Sequence, residues 1–217
     1  EVRSRYLSEY AYPILCVDAL YEKVRQGGRV ISMAVLVVCG VNTEGQREVL
    51  AIEPMLEESK ETYKQLFASL KERGLSSVQL VVSDAHTGLQ SAIRESFPNA
   101  SWQRCKMHFM HNVMAHIPHK EKEIFASSLK QIWLAPNYEI AHQRAKMLIE
   151  TYERRFPKAI EILENGLEDS LQFFQFPEID KRKISSTNLM ERLNKEVCRR
   201  TNVVGNFPDT NPYLRLV

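Results

Sequence analysis

The feature that most constrains the fold is a long run, Arg29 to Val41, that is dominated by apolar and β-branched residues. Such a run is typical of a β-strand, because branched side chains pack well on a pleated surface. A second apolar run precedes it at Ile14 to Leu20. A third follows at Glu48 to Ile52, with Glu44-Gly45 as a hairpin turn before it. The sequence therefore predicts three neighbouring antiparallel strands.

Helical and strand patterns alternate after this hairpin. Apolar residues from Tyr63 to Leu70 fall on one face of a helix that ends at Gly74. The continuously apolar stretch at 78–82 predicts a strand covered on both faces. A helix through residues 89–93 and a short strand at Ser101 to Arg104 complete the order βββαβαβ. This order predicts an α/β protein with a mixed five-stranded sheet.

Helical periodicity replaces the β-branched runs after about Asn112, and prolines separate the predicted helices. We therefore expect a sheet domain over residues 1–112 and an all-helical insertion over 113–180. The last segment, 181–217, contains a helix from Asn188 to Arg200 that completes the first domain.

Composition excludes several classes of protein. A hydrophobic content of 44% and a charged content of 26% are ordinary for a globular chain and argue against disorder. The longest apolar run, Met33 to Cys39, is far too short to cross a bilayer. The four cysteines are scattered, which favours reduced thiols in an intracellular protein over a disulfide framework.

Asp18 is the first candidate functional residue. It interrupts the apolar run ILCVDAL, where a carboxylate must be paired, hydrated or bound to a metal, because burying it alone is costly. An ion pair with Lys23 or Arg25, just downstream, is the structural alternative. The position inside a strand favours a functional role.

Asp84 is the second candidate. It lies directly after the fourth predicted strand and before a helix. Binding sites in open α/β sheets collect at such strand ends. Aspartate is also a favoured helix N-cap, so a capping role is an equal alternative. His86 beside it could support the site or be merely exposed.

Glu191 is the third candidate, near the start of the last predicted helix. Asn188-x-x-Glu191 resembles a capping box, which is the structural alternative. The combination of three acids favours function, because parallel first and fourth strands would put both aspartates near the sheet centre. The helix can pack on the sheet through an apolar stripe formed by Leu189, Leu193 and Val197.

Three converging carboxylates suit hard divalent cations such as Mg²⁺, which take oxygen ligands and keep positions open for water and phosphate. Two such ions about 3.5 to 4 Å apart can activate an attacking oxygen and stabilise a leaving oxygen during in-line displacement at phosphorus. The sequence has no Gly-rich loop followed by Lys-Ser/Thr, which argues against nucleoside triphosphate hydrolysis.

Two further patterns allow a functional and a structural interpretation. Cys105 and His108 form a C-x-x-H motif, but structural zinc needs four ligands, so packing or DNA positioning is favoured over zinc. Between Lys181 and Arg200, seven basic residues stand against two acidic ones, a local net charge of +5 (7 − 2). This block could follow a phosphate backbone, or it could be a solvated helix face.

At these residues the chain resembles the Mutator-type bacterial insertion-sequence transposases. Together the matching segments span Tyr12 to about Pro208 in the family's order. The segments are Tyr12-Pro13-x-x-Cys16-Val17-Asp18-Ala19 with Lys23-Val24-Arg25; Val82-Ser83-Asp84-Ala85-His86-x-Gly88-Leu89; Gln103-Arg104-Cys105-x-x-His108; and Thr187-Asn188-x-x-Glu191-Arg192-x-Asn194-x-Glu196 running into Arg199-Arg200-Thr201.

The resemblance implies a ribonuclease H-like fold with an all-helical insertion before the last catalytic helix. It implies a catalytic, metal-binding triad of Asp18, Asp84 and Glu191, two Mg²⁺ ions with Mn²⁺ as a substitute, and cleavage and strand transfer of DNA. The DNA-binding residues that we expect are Arg25, Arg104, Cys105, His108, Asn188, Arg192, Lys195, Arg199 and Arg200.

The resemblance also implies partners and a setting. Transposon ends and target DNA are the expected partners, with a homodimer as the active complex, in the cytoplasm at the bacterial nucleoid. Because the family carries a DNA-binding region ahead of the first aspartate, we expect this chain to be a piece of a longer protein. The alternatives are a catalytically inactive DNA-binding remnant and a zinc-organised interaction module built on Cys105 and His108.

Overall fold

The structure, a computed structural model, describes residues 5–26, 28–55 and 57–178. These residues divide after Trp102 into two compact units, the first carrying the sheet and the second carrying helices. Most of the predicted insertion, 113–178, belongs to the second unit. The predicted domain boundaries at residues 113 and 181 stay a prediction.

A mixed five-stranded sheet forms in the order β3-β2-β1-β4-β5. The first three strands are antiparallel neighbours, and β4 runs parallel to β1. This arrangement confirms the prediction of a mixed five-stranded sheet. The strands are β1 (Ile14–Gln26), β2 (Arg29–Val41), β3 (Arg47–Met55), β4 (Leu80–Ser83) and β5 (Ser101–Arg104).

The strands β1 and β2 form a long hairpin. They pair from Ile14 with Val41 to Gln26 with Arg29, so β1 extends six residues beyond the predicted end at Leu20. The turn contains Gly28 at φ +78°, a left-handed conformation that glycine adopts without steric cost. The extension arises because β2 offers hydrogen-bonding partners along its whole length, which the local sequence of β1 does not reveal.

Two helices cover one face of the sheet. α1 (Lys60–Glu72) begins with a capping box between Ser59 and Thr62, and α2 (Thr87–Ser96) follows β4. Their buried side chains join one hydrophobic cluster with the inward residues of the strands. On the opposite face a smaller cluster forms around Val37 and Cys39. Each face of the sheet has its own cluster because successive side chains along a strand point to opposite faces.

The second unit is helical. It contains two short 3₁₀ turns, at His119–Glu121 and Gln172–Gln175, besides four α-helices. The sequence did not predict α3, which begins directly after the C-x-x-H cysteine. The helices are α3 (Lys106–Met114), α4 (Lys122–Trp133), α5 (Tyr138–Tyr152) and α6 (Pro157–Ser170). Across the described residues, no helix has the length and apolar character that spanning a membrane requires.

Gly40 lies on β2 where two large side chains close over the strand. A Cβ atom at this position would lie 2.6 Å from Tyr12 Cδ1 and 2.8 Å from Leu50 Cδ1. Both side chains are buried, and the Tyr12 hydroxyl donates a hydrogen bond of 3.2 Å to Glu48 Oε2. Glycine is therefore the residue that fits here without displacing the core.

We expect Gly40→Ala to lower the free energy of unfolding by about 1 to 3 kcal/mol, because the added methyl group overpacks the core. Urea denaturation measures the change as a lower midpoint at constant slope. Ser32→Ala, at an exposed position on the same strand, is the control and should change stability by less than about 0.5 kcal/mol. An unchanged midpoint for Gly40→Ala would contradict this packing.

Candidate active site

The pairing of β1 with β4 brings the two candidate aspartates to equivalent positions. Ile14 pairs with Leu80 and Cys16 with Val82, an offset of 66 positions (80 − 14). The same offset separates Asp18 from Asp84 (84 − 18), which lies one residue beyond the end of β4. Extended two positions beyond Cys16 and Val82, this register would set Asp18 opposite Asp84, on neighbouring chains about 4.8 Å apart.

Asp18 is held on the sheet face opposite α1 and α2. Its strand neighbours of the same parity, Cys16 and Leu20, pack with the cluster around Val37 and Cys39. The carboxylate is partly exposed, and its Oδ1 accepts a hydrogen bond of 3.0 Å from the backbone N–H of Ala19. A charged group therefore lies at the border of an apolar face while remaining accessible to solvent.

The backbone at Asp84 is fixed by a buried hydrogen-bond chain. Trp102 Nε1 donates to Ser83 Oγ at 2.9 Å, and Ser83 Oγ donates to the backbone carbonyl of Asp84 at 2.9 Å. Ser83 is only 1% exposed, so solvent does not compete for its hydroxyl. Asp84 Oδ1 accepts from the backbone N–H of Ala85 at 2.7 Å. These contacts set the direction in which the chain leaves β4.

The N-cap of α2 is His86, so the alternative that Asp84 caps this helix is wrong. His86 Nδ1 accepts a hydrogen bond of 3.3 Å from the backbone N–H of Leu89. Its imidazole also packs edge-on against the Tyr63 ring, with centroids 5.8 Å apart. The carboxylate of Asp84 is therefore not needed for the start of the helix.

One carboxylate, Glu58, is held by two tyrosines, one on β1 and one on α1. Glu58 accepts hydrogen bonds from the Tyr21 hydroxyl at 2.8 Å and from the Tyr63 hydroxyl at 2.7 Å. The hydrogen bond to Glu58 raises the pKa of Tyr21 to about 12, and burial and the negative charges of Glu58, Asp84 and Asp18 add to this. Burial and the bond to Glu58 also raise the pKa of Tyr63. Both phenols therefore remain donors at neutral pH.

Several predicted site residues lie outside the described part of the chain. These are the third proposed metal ligand, Glu191, and five of the proposed DNA-binding residues, Asn188, Arg192, Lys195, Arg199 and Arg200. The Arg25 side chain, one of the two alternative ion-pair partners of Asp18, lies outside it as well. Within the described ranges, no group of three or more His, Cys, Asp or Glu residues is arranged to hold a metal ion.

The segment around the C-x-x-H motif is tied into the helical unit by Gln103. Its side chain is buried, donating from Nε2 to the Ser170 carbonyl at 3.1 Å and accepting at Oε1 from the Phe173 N–H at 2.8 Å. Ser170 Oγ in turn accepts from Trp133 Nε1 at 3.1 Å. This role of Gln103 was not predicted from the sequence, because glutamine is usually exposed and gives no local signal of burial.

Arg104 packs against an aromatic ring. Its guanidinium carbon lies 4.5 Å from the centroid of the Phe109 ring, a cation–π arrangement. Gly166 on α6 makes room for this pair, since a Cβ there would lie 2.6 Å from Phe109 Cε2. Arg104 is partly exposed as a residue, although its Nε is buried.

Cys105 and His108 have different surroundings. Cys105 is 3% exposed and occupies the N-cap position of α3 without a side-chain hydrogen bond, so any contribution to DNA binding would be indirect. His108 lies one helical turn later and is partly exposed. Their predicted roles in DNA binding stay predictions.

The whole chain, residues 1–217, matches the sequence profile of transposases of the Mutator family. The chain belongs to the Mutator family of transposases. This confirms the family that the motifs around Asp18, Asp84 and Cys105 indicated.

Named relatives of this Mutator-family chain are transposases for insertion sequence elements. It is 41% identical over 219 residues to the transposase for IS256 in transposon Tn4001 of Staphylococcus aureus, covering 100% of this chain and 56% of that protein. It is 40% identical over 211 residues to the transposase for ISRM5 of Rhizobium meliloti, covering 96% of this chain and 52% of that protein. The chain thus spans little more than half the length of these relatives.

Among solved structures, the Drosophila P element transposase strand transfer complex resembles this Mutator-family chain with a TM-score of 0.49 and 11% sequence identity. The similarity covers 95% of this chain and 76% of that one.

Ser83→Ala is expected to destabilise this Mutator-family chain by about 1 to 3 kcal/mol, because Trp102 Nε1 loses its acceptor. A double-mutant cycle with Trp102→Phe, followed by urea denaturation, isolates the hydrogen bond from the loss of ring volume. We expect the double variant to be less destabilised than the sum of the two single variants. Strict additivity would show that the bond does not contribute.

Gly166→Ala should destabilise the helical unit by about 1 to 3 kcal/mol, because the new methyl group meets the Phe109 ring and the Arg104 guanidinium. The sign of the change in stability is informative, because alanine in a helix interior is otherwise favoured over glycine by about 1 kcal/mol. Asn165→Ala, at the exposed neighbouring position, is the matched control and should be neutral or stabilising. Stabilisation by Gly166→Ala in thermal unfolding would contradict the packing of Arg104 on Phe109.

Proposed function

We propose that this chain carries the catalytic core of an insertion-sequence transposase that cleaves DNA and transfers its strands by metal-dependent, in-line phosphoryl transfer. The observation that supports this most directly is the register of β1 and β4, whose extension by two positions would set Asp18 opposite Asp84. The relatives named as transposases for insertion sequence elements support the substrate, DNA.

The two aspartates fit the donor set of a hard divalent cation. Both offer carboxylate oxygens, both are partly exposed, and both lie at the end of a strand pairing, where solvent and a phosphate can approach. In each, Oδ1 is oriented by the backbone N–H of the next residue. We propose two Mg²⁺ ions, with Mn²⁺ as a substitute, held by these carboxylates together with Glu191.

When bound, the ions would neutralise phosphate charge and lower the pKa of an attacking hydroxyl or water. The protein itself would hold the metal ligands in place and orient them. Asp18 is fixed by the pairing of β1 with β2, and Asp84 by the hydrogen bonds of Ser83 and Trp102. Side chains held this firmly can keep the ligand positions in place during turnover.

The proposed partners are transposon ends and target DNA, bound by a homodimer in the active complex. Arg104 supports DNA binding, because it is a positively charged, partly exposed residue whose guanidinium is held against the Phe109 ring. For His108 and for Arg25, Asn188, Arg192, Lys195, Arg199 and Arg200 the proposal rests on the family motif alone. A bound phosphate backbone would make the affinity fall steeply with salt concentration.

We expect Asp18→Asn and Asp84→Asn each to reduce DNA excision and strand transfer by at least about a thousandfold, because a neutral amide is a poor ligand for Mg²⁺. The assay measures excision of a marker flanked by the genomic DNA on either side of the protein's own coding sequence. Asp169→Asn, at an exposed position on α6, is the matched control and should retain full activity.

A second readout is Mn²⁺ binding by the purified protein, measured by isothermal titration calorimetry. Binding should be lost in Asp18→Asn and Asp84→Asn and retained in Asp169→Asn. Salt-sensitive DNA binding without metal-dependent cleavage in the unsubstituted protein would instead indicate a catalytically inactive remnant. Unchanged cleavage in either site variant would remove that residue from the proposed triad.

A further inference from the structure

Two cysteines face each other across the hairpin of β1 and β2. Cys16 on β1 is the register partner of Cys39 on β2. Both lie on the same face of the sheet, because Cys39 is a buried member of the smaller cluster with Val37, and Cys16 packs against that cluster. The strand register and the shared face together place the two side chains directly opposite each other.

The separation of such a pair suits a disulfide. Residues directly opposite on antiparallel strands have Cα atoms about 4.5 to 5.5 Å apart, and disulfides form at Cα separations of about 4.4 to 6.8 Å. Their Cβ atoms, about 4.5 to 5.5 Å apart, would have to approach by about 1 Å. The pairing of β2 with β3 is irregular between Val38 and Cys39, so the ladder beside Cys39 is already interrupted. The sheet can therefore take up a small shift of Cys39.

The two thiols differ in their access to solvent. Cys16 is partly exposed, whereas Cys39 is only 3% exposed. Burial raises the pKa of the Cys39 thiol to about 12, and the neighbouring Cys16 adds to this rise. An oxidant in solution would therefore meet Cys16 first, and Cys39 lies within reach of the product.

We propose that Cys16 and Cys39 form a dithiol site that hydrogen peroxide converts to a reversible disulfide, which links β1 to β2 two residues before Asp18. The Cys16 sulfur bonds to one peroxide oxygen, the O–O bond breaks, and the leaving hydroxide takes the thiol proton as water. Cys16 is then a sulfenic acid. The Cys39 sulfur bonds to the Cys16 sulfur, the S–O bond breaks, and the hydroxide leaves with the Cys39 proton as a second water. The two sulfurs together lose two electrons, which the peroxide gains.

A third cysteine in the described part of the chain provides an internal control. Cys105, at the N-cap of α3, is also 3% exposed, but no cysteine among the described residues is its strand partner. It shares the burial of Cys39 and lacks its neighbour. Selective oxidation of Cys16 and Cys39 would therefore show that their pairing, and not burial, decides the reaction.

Peptide mapping of the purified protein tests the site. The protein is treated with a low molar excess of hydrogen peroxide, the remaining thiols are alkylated, and the product is digested with trypsin without reduction. Trypsin separates the two cysteines into the peptides 6–23 and 30–47. We expect these peptides to be joined in protein that migrates as a single chain on a non-reducing gel. Dithiothreitol should restore both thiols, and Cys105 should be alkylated throughout.

Two variants separate the steps. Cys16→Ser should abolish the disulfide and leave Cys39 as a thiol, because solvent hardly reaches it. Cys39→Ala should stop the reaction after the first step, so that dimedone labels the sulfenic acid at Cys16. Circular dichroism verifies that each variant is folded.

Three results in the unsubstituted protein would each overturn the proposal. These are a sulfenic acid at Cys16 that does not proceed to a disulfide, a disulfide that joins two chains through Cys16, and oxidation of Cys105 to the same extent. The inference is independent of the proposed function, because it needs only the pairing of β1 with β2. Its failure would leave the tests of the two aspartates unaffected.

Discussion

The parallel pairing of β1 with β4 is the constraint on which the rest of the structure depends. Because β1 is also paired with β2 along its whole length, it cannot shift without breaking hydrogen bonds on both sides. The alternation of side chains then assigns each residue of β1 to a face. Leu15 and Val17 enter the main core, whereas Asp18 lies with Cys16 on the opposite face. A slip of one residue would exchange these faces and bury the carboxylate in the core.

Two hydrogen-bond chains in the sheet unit are anchored at aromatic residues. In one, Trp102 holds Ser83, and Ser83 holds the backbone of Asp84. In the other, Tyr63 holds Glu58, and Glu58 holds Tyr21. Tyr63 lies in the main core and Trp102 packs against it, and the hydrogen bonds carry the restraint outwards. Such support is what a site needs if its ligands are to keep their geometry.

The sequence predicted the order of strands and helices in the sheet unit well, because apolar alternation and β-branched runs are local signals. It also singled out Asp18 and Asp84, since a carboxylate in or just after an apolar strand is unusual. It did not separate a capping role from a functional one at Asp84, because that depends on which residue starts α2, and this proved to be His86. The acidic partner of Tyr21 is Glu58, 37 positions away, and no local pattern connects them.

In the helical unit, α3 escaped prediction for a similar reason. It buries only Phe109 and Val113, so its apolar face is too sparse to give a clear period. Its location depends on tertiary contacts, with Gln103 bonded to Ser170 and Phe173 just before the helix begins. Tertiary contacts of this kind override local preferences and cannot be seen from one segment alone.

The fixed register of β1 and β4 also bears on how such a chain can change during evolution. The distance between the two aspartates depends on strand pairing and not on the length of chain between them. Loops such as the β2–β3 turn around Gly45 could therefore gain or lose residues while the acidic pair kept its spacing. A single insertion within Leu80–Ser83 would turn Asp84 to the other side of the sheet. The four residues of β4 therefore tolerate an insertion poorly, although they carry no candidate ligand themselves.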